Sequence, residues 1–321
     1  MPSAPTALNQ KTVSLPMLEA SYQQPFLSLV HQAQSVHQRF HPHNQIQLCT
    51  LANIKSGNCA EDCAYCPQSA RYKTGIETWA LPTLEEIDSQ IKAAKANGST
   101  RFCMGAAWRS PPNEKSFNQV LAMVERVNAH GMEACATLGM ITEDQARALK
   151  DAGLKAYNHN IDTSPNYYDQ VITTRKIDDR LETLSNVAKA KLDICCGGIL
   201  GMGETVTHRL EMIQTLCQLE TPPESVPINC LVPVEGTPLA DQKPVDSFEL
   251  VRTIATTRIF LPGSRIRLSA GRLSMNDETQ ALCFMAGANS IFTGDKLLTT
   301  DNPGENKDAV LLKKLGLTPT T

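Results

Sequence analysis

Short apolar runs and helix-like segments alternate along most of the chain. From about residue 46, runs rich in β-branched and apolar residues are separated by segments of 10 to 17 residues with helical character. This alternation is typical of repeated βα units around a parallel sheet. The eight predicted strands lie near residues 46–53, 100–107, 132–138, 156–162, 192–199, 226–232, 265–270 and 290–293. Eight units favour an α/β fold of the (β/α)8 TIM type, with an open doubly wound sheet as the alternative.

The predicted helices carry start and stop signals. Thr83 and Glu86 have the spacing of a capping box ahead of an apolar run that stops at Gly98. Thr142 and Gln145 repeat the pattern in the next predicted helix but one. A capping box satisfies two backbone N–H groups that a helix start would otherwise leave unpaired. Both segments are therefore predicted to be helices.

The ends of the chain extend the barrel. Residues 25–40 have the pattern of an amphipathic helix before the first strand, which we expect to cover one end of the barrel. Residues 1–24 are rich in Pro, Ser, Thr and Gln, which predicts a flexible N-terminal tail. Residues 25–321 are predicted to form a single barrel domain that includes a C-terminal extension.

Composition and charge narrow the class of protein. The 321 residues are 41% hydrophobic and 20% charged, with a formal net charge of −3. This balance suits a globular chain and gives no basic footprint for nucleic acid or an anionic membrane. With no apolar run long enough for a bilayer and no export signal, we expect a cytoplasmic enzyme that acts on a small molecule. In that reducing compartment the 11 cysteines are metal ligands, reactive thiols or buried hydrophobes, not disulfides.

The strongest chemical signal is a loop with three cysteines. Cys59, Cys63 and Cys66 lie directly after the first predicted strand, where barrel enzymes keep their active sites. A structural zinc ion requires four ligands, so three cysteines without a nearby fourth ligand fit zinc poorly. Three thiolates can instead hold a 4Fe-4S cluster and leave one iron open for a ligand. A zinc site and a chance cysteine-rich loop remain alternatives.

A second group of candidates follows from side-chain alternation along the strands. By parity, Cys103, Cys135, Cys195 and Arg267 point away from the apolar, helix-facing positions and into the barrel. Each cysteine alone is more often a small buried hydrophobe, but their shared parity favours a joint role. Buried polar and charged groups need partners, which a second metal cluster would supply.

Polar residues also mark the fourth predicted strand. Asn158, Asn160 and Asp162 share one face, which indicates a strand that reads a ligand, with a purely structural polar network as the alternative. The glycine-rich run 197–203 either cradles a cofactor or permits a tight turn.

The spacing C-x-x-x-C-x-x-C, with Tyr65 before the last cysteine, resembles the signature of the radical S-adenosylmethionine superfamily. The resemblance implies that the open iron binds S-adenosylmethionine, whose reductive cleavage gives a 5′-deoxyadenosyl radical. Within that superfamily, the chain from about residue 38 to 317 resembles the family of sulfurtransferases that insert sulfur into dethiobiotin. The segments that carry this closer resemblance are residues 103–109, 157–164, 197–205, 227–229 and 265–272.

The closer resemblance implies roles for individual residues. A 2Fe-2S cluster would be held at the positions of Cys103, Cys135, Cys195 and Arg267. Tyr65 would lie by the adenine of S-adenosylmethionine, and Asn160 and Asp162 would bind its ribose. Asn160 and Asn229 would contact the ureido ring of dethiobiotin, and Thr299 and Thr300 its carboxylate. Residues without an implied ligand role, expected to serve packing, are Cys49, Cys196, Cys217, Cys230 and Cys283.

The resemblance also implies partners. Reductive cleavage requires an electron donor such as a flavodoxin or ferredoxin, and the family implies a homodimer. Two other functions stay open at this stage. One is a related radical enzyme that acts on a different small molecule. The other is an iron-sulfur or zinc sensor that binds a partner without turnover.

Overall fold

A closed barrel of parallel strands lies at the centre of the computed structural model, which describes residues 10–42 and 44–320. The barrel strands are β1 (Gln45–Lys55), β2 (Arg101–Ala106), β3 (Glu133–Thr137), β4 (Ala156–Asn158), β5 (Asp193–Cys195), β6 (Gly198–Leu200), β7 (Ser225–Cys230), β8 (Arg265–Leu268) and β9 (Ser290–Phe292). Successive strands pair in chain order from β1 to β5 and from β7 to β9, and β9 returns to β1. Because β5 and β6 both pair with β7, they occupy one position, and the described strands fill the eight positions of a (β/α)8 barrel. The predicted fold class is confirmed.

Helices cover the outside of the barrel. They are α1 (Leu15–Tyr22), α2 (Phe26–Phe40), α3 (Leu84–Ala96), α4 (Glu114–Ala129), α5 (Glu143–Asp151), α6 (Ile177–Lys189), α7 (Val206–Gln218), α8 (Ser247–Phe260), α9 (Asp277–Met285) and α10 (Glu305–Leu315). The capping boxes at Thr83 and Thr142 are present, as predicted. Among the described residues, no helix combines the length and apolar character needed to span a bilayer.

The C-terminal part of the chain adds three short strands. These are β10 (Lys296–Leu297), β11 (Thr300–Asp301) and β12 (Thr318–Pro319). The antiparallel pair β10–β11 follows the last barrel strand, and β12 pairs with the start of β1. The predicted C-terminal extension is therefore tied to the barrel at both of its ends.

Two helices precede the barrel. The predicted amphipathic helix is α2, whose buried residues Leu29 and Ala33 belong to the main apolar core. Helix α1 lies within the segment predicted to be a flexible tail, yet Leu18 is fully buried and the Tyr22 hydroxyl donates to Glu249 at 2.7 Å. The tail prediction is therefore wrong for residues 15–22, while residues 1–9 lie outside the described residues. An eight-residue helix has too little length to show a period and depends on tertiary packing for stability.

Side-chain alternation divides the strands as predicted. The helix-facing positions pack into the main apolar core, among them Phe102, Met104, Ala134, Ala136, Ile194, Cys196 and Ile266. A separate cluster inside the barrel contains Cys49, Cys103 and Cys135 together with Phe292 and Leu297. A parallel barrel strand is buried on both faces, so burial alone does not distinguish lumen-facing from helix-facing residues. The polar or apolar character of the side chains makes that distinction.

Two predicted strands are shorter than expected. The fourth ends at Asn158, and Asp162 beyond it has a left-handed backbone with φ 66°. The fifth is interrupted between Cys195 and Gly198. At this interruption the Asp162 N–H donates to the Gly197 carbonyl at 3.2 Å. Asn160 and Asp162 therefore lie in an irregular segment, where parity alone does not fix their direction.

Candidate active site

One cavity of about 320 Å³ opens at the carboxyl ends of the strands. Every candidate site residue predicted from the sequence lines it. These residues are Cys59, Cys63, Tyr65, Cys66, Cys103, Cys135, Asn160, Asp162, Cys195, Asn229, Arg267, Thr299 and Thr300. The structure therefore gathers into one space residues that are up to 241 positions apart in the sequence (Cys59 to Thr300).

The three-cysteine loop is held by its own backbone. The Cys59 N–H donates to the Gln68 carbonyl at 2.9 Å, and the Cys59 carbonyl accepts from the Ala70 N–H at 2.8 Å. The Cys66 N–H donates to the Cys63 carbonyl at 2.9 Å. These contacts fold the loop back on itself, so all three thiols reach the cavity from one compact turn.

Two acidic residues between the cysteines anchor this loop to the segment before α6. Asp62 accepts hydrogen bonds from the N–H groups of Thr173 at 2.9 Å and Thr174 at 3.1 Å. Burial raises the pKa of Asp62, but these hydrogen bonds outweigh it and lower the pKa to about 2. Glu61 forms an ion pair with Arg109 at 3.0 Å. No local pattern in the sequence marks these two residues. The partners of Asp62, for example, lie more than 100 positions away.

The loop thiols lie in a buried but positively charged environment. Burial raises the pKa of Cys66 to about 12 and also raises that of Cys63, against the pull of Arg180 and Arg175. The Arg175 Nη2 lies 3.8 Å from the Cys63 Sγ. Metal ions displace thiol protons, and the guanidinium groups offset the negative charge of the resulting thiolates. This donor set fits a cluster held by three thiolates.

A single-ion site is not favoured by the geometry. Among residues 10–42 and 44–320, no three His, Cys, Asp or Glu side chains converge closely enough to hold one metal ion. A structural zinc site would require four such ligands around one point. The zinc alternative for the Cys59 loop therefore has no supporting arrangement in the described residues.

A second group of thiols lies deeper in the barrel. Cys103 and Cys135 are direct partners on β2 and β3, so their side chains are neighbours on the lumen face. Cys195 pairs with Asn158 across β4 and β5, and the Asn158 Nδ2 lies 3.3 Å from its Sγ. Three fully or nearly fully buried thiols facing one space fit the thiolate side of a 2Fe-2S cluster.

Arg267 stands beside these thiols. Its Nη1 lies 3.7 Å from the Cys195 Sγ, and its Nε donates to the Ser290 Oγ at 3.0 Å. Burial lowers the pKa of Arg267, but the attraction of Cys49, Cys195 and Cys103 outweighs it and raises the pKa above its usual value. A protonated guanidinium has no lone pair, so Arg267 would bind a metal only in its neutral form.

Cys49 also lies inside the barrel. It was expected to serve packing, and its Sγ lies in the lumen, 3.4 Å from the Arg267 Nη2. Cys49 shares strand parity with Gln47, whose Oε1 also accepts from Arg267 at 3.4 Å. The alternation rule applied to the first strand, with Gln47 as the polar marker, is the signal that could have found it.

The inward charges at the amino end of the barrel have carboxylate partners. Arg101 forms ion pairs of 2.9 Å with both Glu133 and Glu224. Arg101 therefore has its charge partners within the protein, although it also lies close enough to Cys49 and Cys135 to interact with them electrostatically.

A group of hydrogen-bonded side chains connects the cysteine loop to the segment that follows β4. The Tyr65 hydroxyl donates to the Asp162 Oδ2 at 2.6 Å, and Arg180 donates to the same oxygen. The Asn160 Oδ1 accepts from the Gly197 N–H and from the Asn158 Nδ2, both at 3.1 Å. Arg180 was not predicted, because no local pattern in the sequence marks it.

The remaining candidates lie around the cavity rim. Asn229 donates from Nδ2 to the Gly198 carbonyl at 3.0 Å and accepts at Oδ1 from the Ala270 N–H at 3.2 Å. Thr300 begins β11, and Thr299 precedes it in the turn of the β10–β11 hairpin. Both threonines line the cavity without belonging to the barrel strands.

The barrel and its three-cysteine loop together define a radical S-adenosylmethionine enzyme. Residues 53–216 match the family model described as the Radical SAM superfamily, and residues 227–318 match the Biotin and Thiamin Synthesis associated domain. The chain is 58% identical over 309 residues to a biotin synthase of Legionella pneumophila (strain Lens), covering 96% of this chain and 98% of that protein. It is also 58% identical over 307 residues to a biotin synthase of Synechococcus sp. (strain JA-3-3Ab), covering 96% and 99%. The chain belongs to the biotin synthase family.

Solved structures with distant sequences share the fold. A crystal structure of methylornithine synthase aligns with a TM-score of 0.81 at 17% identity, over 98% of this chain and 96% of that one. The FeFe-hydrogenase maturase HydG from Carboxydothermus hydrogenoformans aligns with a TM-score of 0.83 at 17% identity, over 97% and 76%. At this identity the likeness concerns the barrel alone.

Proposed function

We propose that this chain converts dethiobiotin to biotin, using S-adenosylmethionine and sulfur from an iron-sulfur cluster. One observation carries the proposal: two separate groups of three thiols, one in the rim loop and one in the barrel, line the same cavity. When bound, the 4Fe-4S cluster with S-adenosylmethionine supplies the radical that removes hydrogen from the substrate, and the 2Fe-2S cluster supplies sulfur. Cys59, Cys63 and Cys66 would hold the first cluster, and Cys103, Cys135, Cys195 and Arg267 the second.

The side chains of the chain then have positioning roles. An acid-base group cannot remove hydrogen from an unactivated carbon, so the protein is required to bind, orient and exclude water. The Asn160 Oδ1 already accepts from Gly197 and Asn158, which leaves its Nδ2 as the donor toward a ligand. Such a donor suits the carbonyl of a cyclic urea. Asn229, held by the backbone at both ends of its amide, would contact the same ring.

Asp162 is the group best suited to the ribose. Tyr65 and Arg180 both donate to its Oδ2, so the position of the carboxylate is fixed. A fixed carboxylate accepts hydrogen bonds from a pair of sugar hydroxyls. Tyr65 is adjacent to Cys66, which would place its ring by the adenine of a ligand that reaches the rim cluster. Thr299 and Thr300 place hydroxyl groups at the rim for the substrate carboxylate. The Thr300 hydroxyl donates to the Leu297 carbonyl at 3.2 Å and would exchange that hydrogen bond for one to the ligand.

Further partners belong to the same proposal. The reaction consumes electrons, and a small carrier such as a flavodoxin or ferredoxin would deliver them to the rim cluster. We also propose a homodimer in the cytoplasm. The family resemblance supports the dimer, and the sequence composition supports the compartment.

The decisive experiment is anaerobic turnover. Protein reconstituted with iron and sulfide is incubated with dethiobiotin, S-adenosylmethionine and a reducing system, and 5′-deoxyadenosine and biotin are measured by mass spectrometry. We expect both products from the wild type and neither from Cys63→Ala, with Cys217→Ala as a control cysteine in the outer core. Deoxyadenosine without biotin would keep the radical class and reject the substrate. Absence of both products from iron-loaded protein would favour a sensor.

A further inference from the structure

Four thiols, not three, face the inside of the barrel around Arg267. Cys49 lies on β1, is fully buried and belongs to the same interior cluster as Cys103 and Cys135. Its neighbour Leu51 pairs directly with Cys103, so Cys49 lies two residues before that register position on the adjacent strand. Cysteines from β1, β2, β3 and β5 thus line the same cavity or interior cluster, and those on β1 and β5 contact the Arg267 guanidinium.

The arginine connects Cys49 to the proposed cluster ligands. Its Nη2 lies 3.4 Å from the Cys49 Sγ, and its Nη1 lies 3.7 Å from the Cys195 Sγ. The two nitrogens of one planar guanidinium are thus each in contact with a different thiol. The Phe292 ring packs 4.7 Å from the guanidinium carbon and limits its movement on one face. Cys49 is therefore in direct contact with the proposed fourth ligand.

The Arg267 guanidinium and the Cys49 thiol differ in their ability to bind iron. A guanidinium has five N–H donors and no free lone pair, whereas a thiolate is the usual ligand of an iron-sulfur cluster. Within the described residues, the hydrogen-bond partners of the Arg267 guanidinium are Ser290, Cys195, Gln47 and Cys49, none of which is a carboxylate. The Cys49 sulfur lies against an N–H donor of this group and so has a polar contact in addition to its apolar packing.

We propose that Cys49 is a second candidate for the fourth ligand of the two-iron cluster and takes that position when Arg267 is removed. The proposal rests on the proposed function, because it requires the 2Fe-2S cluster at Cys103, Cys135 and Cys195. Replacement of Arg267 by a neutral side chain removes the guanidinium that contacts both Cys49 and Cys195. The cluster then has four thiolate ligands, the usual complement for a two-iron centre.

The test compares four proteins: wild type, Arg267→Met, Cys49→Ser and the double variant. Each is reconstituted anaerobically, and iron, sulfide, visible absorption and the iron–sulfur region of the resonance Raman spectrum are measured. We expect Cys49→Ser to resemble the wild type. Arg267→Met should keep the two-iron cluster with the spectrum of an all-thiolate site. The double variant should lose at least fivefold of its two-iron content and keep the four-iron cluster.

Several controls make the outcome decisive. Cys196→Ser combined with Arg267→Met removes a neighbouring buried thiol of the outer core and should behave like Arg267→Met alone. Equal two-iron content in Arg267→Met and in the double variant would overturn the proposal. Oxygen ligation in the Raman spectrum of Arg267→Met would also overturn it, and this reading does not require the double variant to fold. A wild type that holds no two-iron cluster would instead reject the proposed function.

Discussion

The Tyr65 hydroxyl donates a 2.6 Å hydrogen bond to the Asp162 Oδ2 and so connects the cysteine loop to the opposite wall of the cavity. Asp162 has a left-handed backbone and is almost fully buried, and its carboxylate also pairs with Arg180. A buried carboxylate is tolerated when charged donors surround it. The contact therefore fixes the position of the group proposed to bind the ribose.

Replacement of Asp162 and replacement of Tyr65 should lower the stability of the protein by different amounts. Asp162→Asn leaves the buried Arg180 without its counter-charge and should destabilise the protein by about 3 to 5 kcal/mol. Tyr65→Phe removes one hydrogen bond to a charged group, so a loss of about 1.5 to 3 kcal/mol is expected. Thermal unfolding of the cluster-free proteins measures both. Tyr65→Phe should also weaken S-adenosylmethionine binding in a titration of the reconstituted protein.

Tyr168→Phe is the matched control for Tyr65→Phe. The Tyr168 hydroxyl accepts from the Arg180 Nε at 2.7 Å but does not line the cavity. This variant should lower stability without changing S-adenosylmethionine affinity. Equal affinities for Tyr65→Phe and the wild type would contradict the assignment of Tyr65.

The adjacent cysteines at positions 195 and 196 should separate ligand from packing roles. Cys195 faces the lumen beside Arg267, whereas Cys196 belongs to the outer apolar core. Cys195→Ala should abolish the two-iron absorption and leave the four-iron absorption intact. Cys196→Ala should keep both clusters and lose about 1 kcal/mol of stability from the small cavity. Loss of both clusters in Cys195→Ala would contradict the division of the thiols into two sites.

The pair of Arg101 and Glu224 predicts a pH effect on stability. Burial raises the pKa of Glu224, but Arg101 outweighs it, so the folded-state pKa lies below the ordinary value of 4.5. A carboxyl with a depressed folded-state pKa stabilises the fold above its unfolded-state pKa and loses that contribution as pH falls through the folded-state value. The gap in unfolding midpoint between wild type and Glu224→Gln should therefore be constant above about pH 5.5 and shrink below about pH 4.5.

Thermal unfolding from pH 3.5 to 7 tests this. Glu220→Gln provides the control, since Glu220 is exposed and near in sequence. A gap for Glu224→Gln that stays constant down to the lowest pH would show that the Arg101 pair does not govern its ionisation.

Gly197 should tolerate no side chain. A Cβ built there would lie 2.0 Å from the Pro227 carbonyl oxygen, which is backbone and cannot rotate away. Gly197→Ala should therefore push β7 away from the segment between β5 and β6. The free energy of unfolding should fall by about 1 to 3 kcal/mol or more. Gly263→Ala is the control, because a Cβ there meets no atom within 4 Å. Unfolding midpoints and two-iron content measure the effect, and equal midpoints for the two variants would contradict it.

The sequence alone was sufficient for the parts of the molecule that depend on local periodicity. Residues on a strand alternate between faces, so the inward direction of Cys103, Cys135 and Arg267 could be deduced without coordinates. The capping boxes at Thr83 and Thr142 are local for the same reason, since each involves a side chain and a backbone group three residues apart. The spacing of the three loop cysteines likewise predicts a cluster loop.

Only the tertiary structure decided which of these groups meet. Cys49 and Arg267 are in contact although 218 positions separate them, and Tyr65 and Asp162 are in contact across 97. The breaks after β4 and within β5–β6, which aim Asp162 into the cavity, depend on the close approach of Gly197 to Pro227. Periodicity determines the face on which a side chain lies, but closure of the barrel sets the stagger between strands and hence the partners across the lumen.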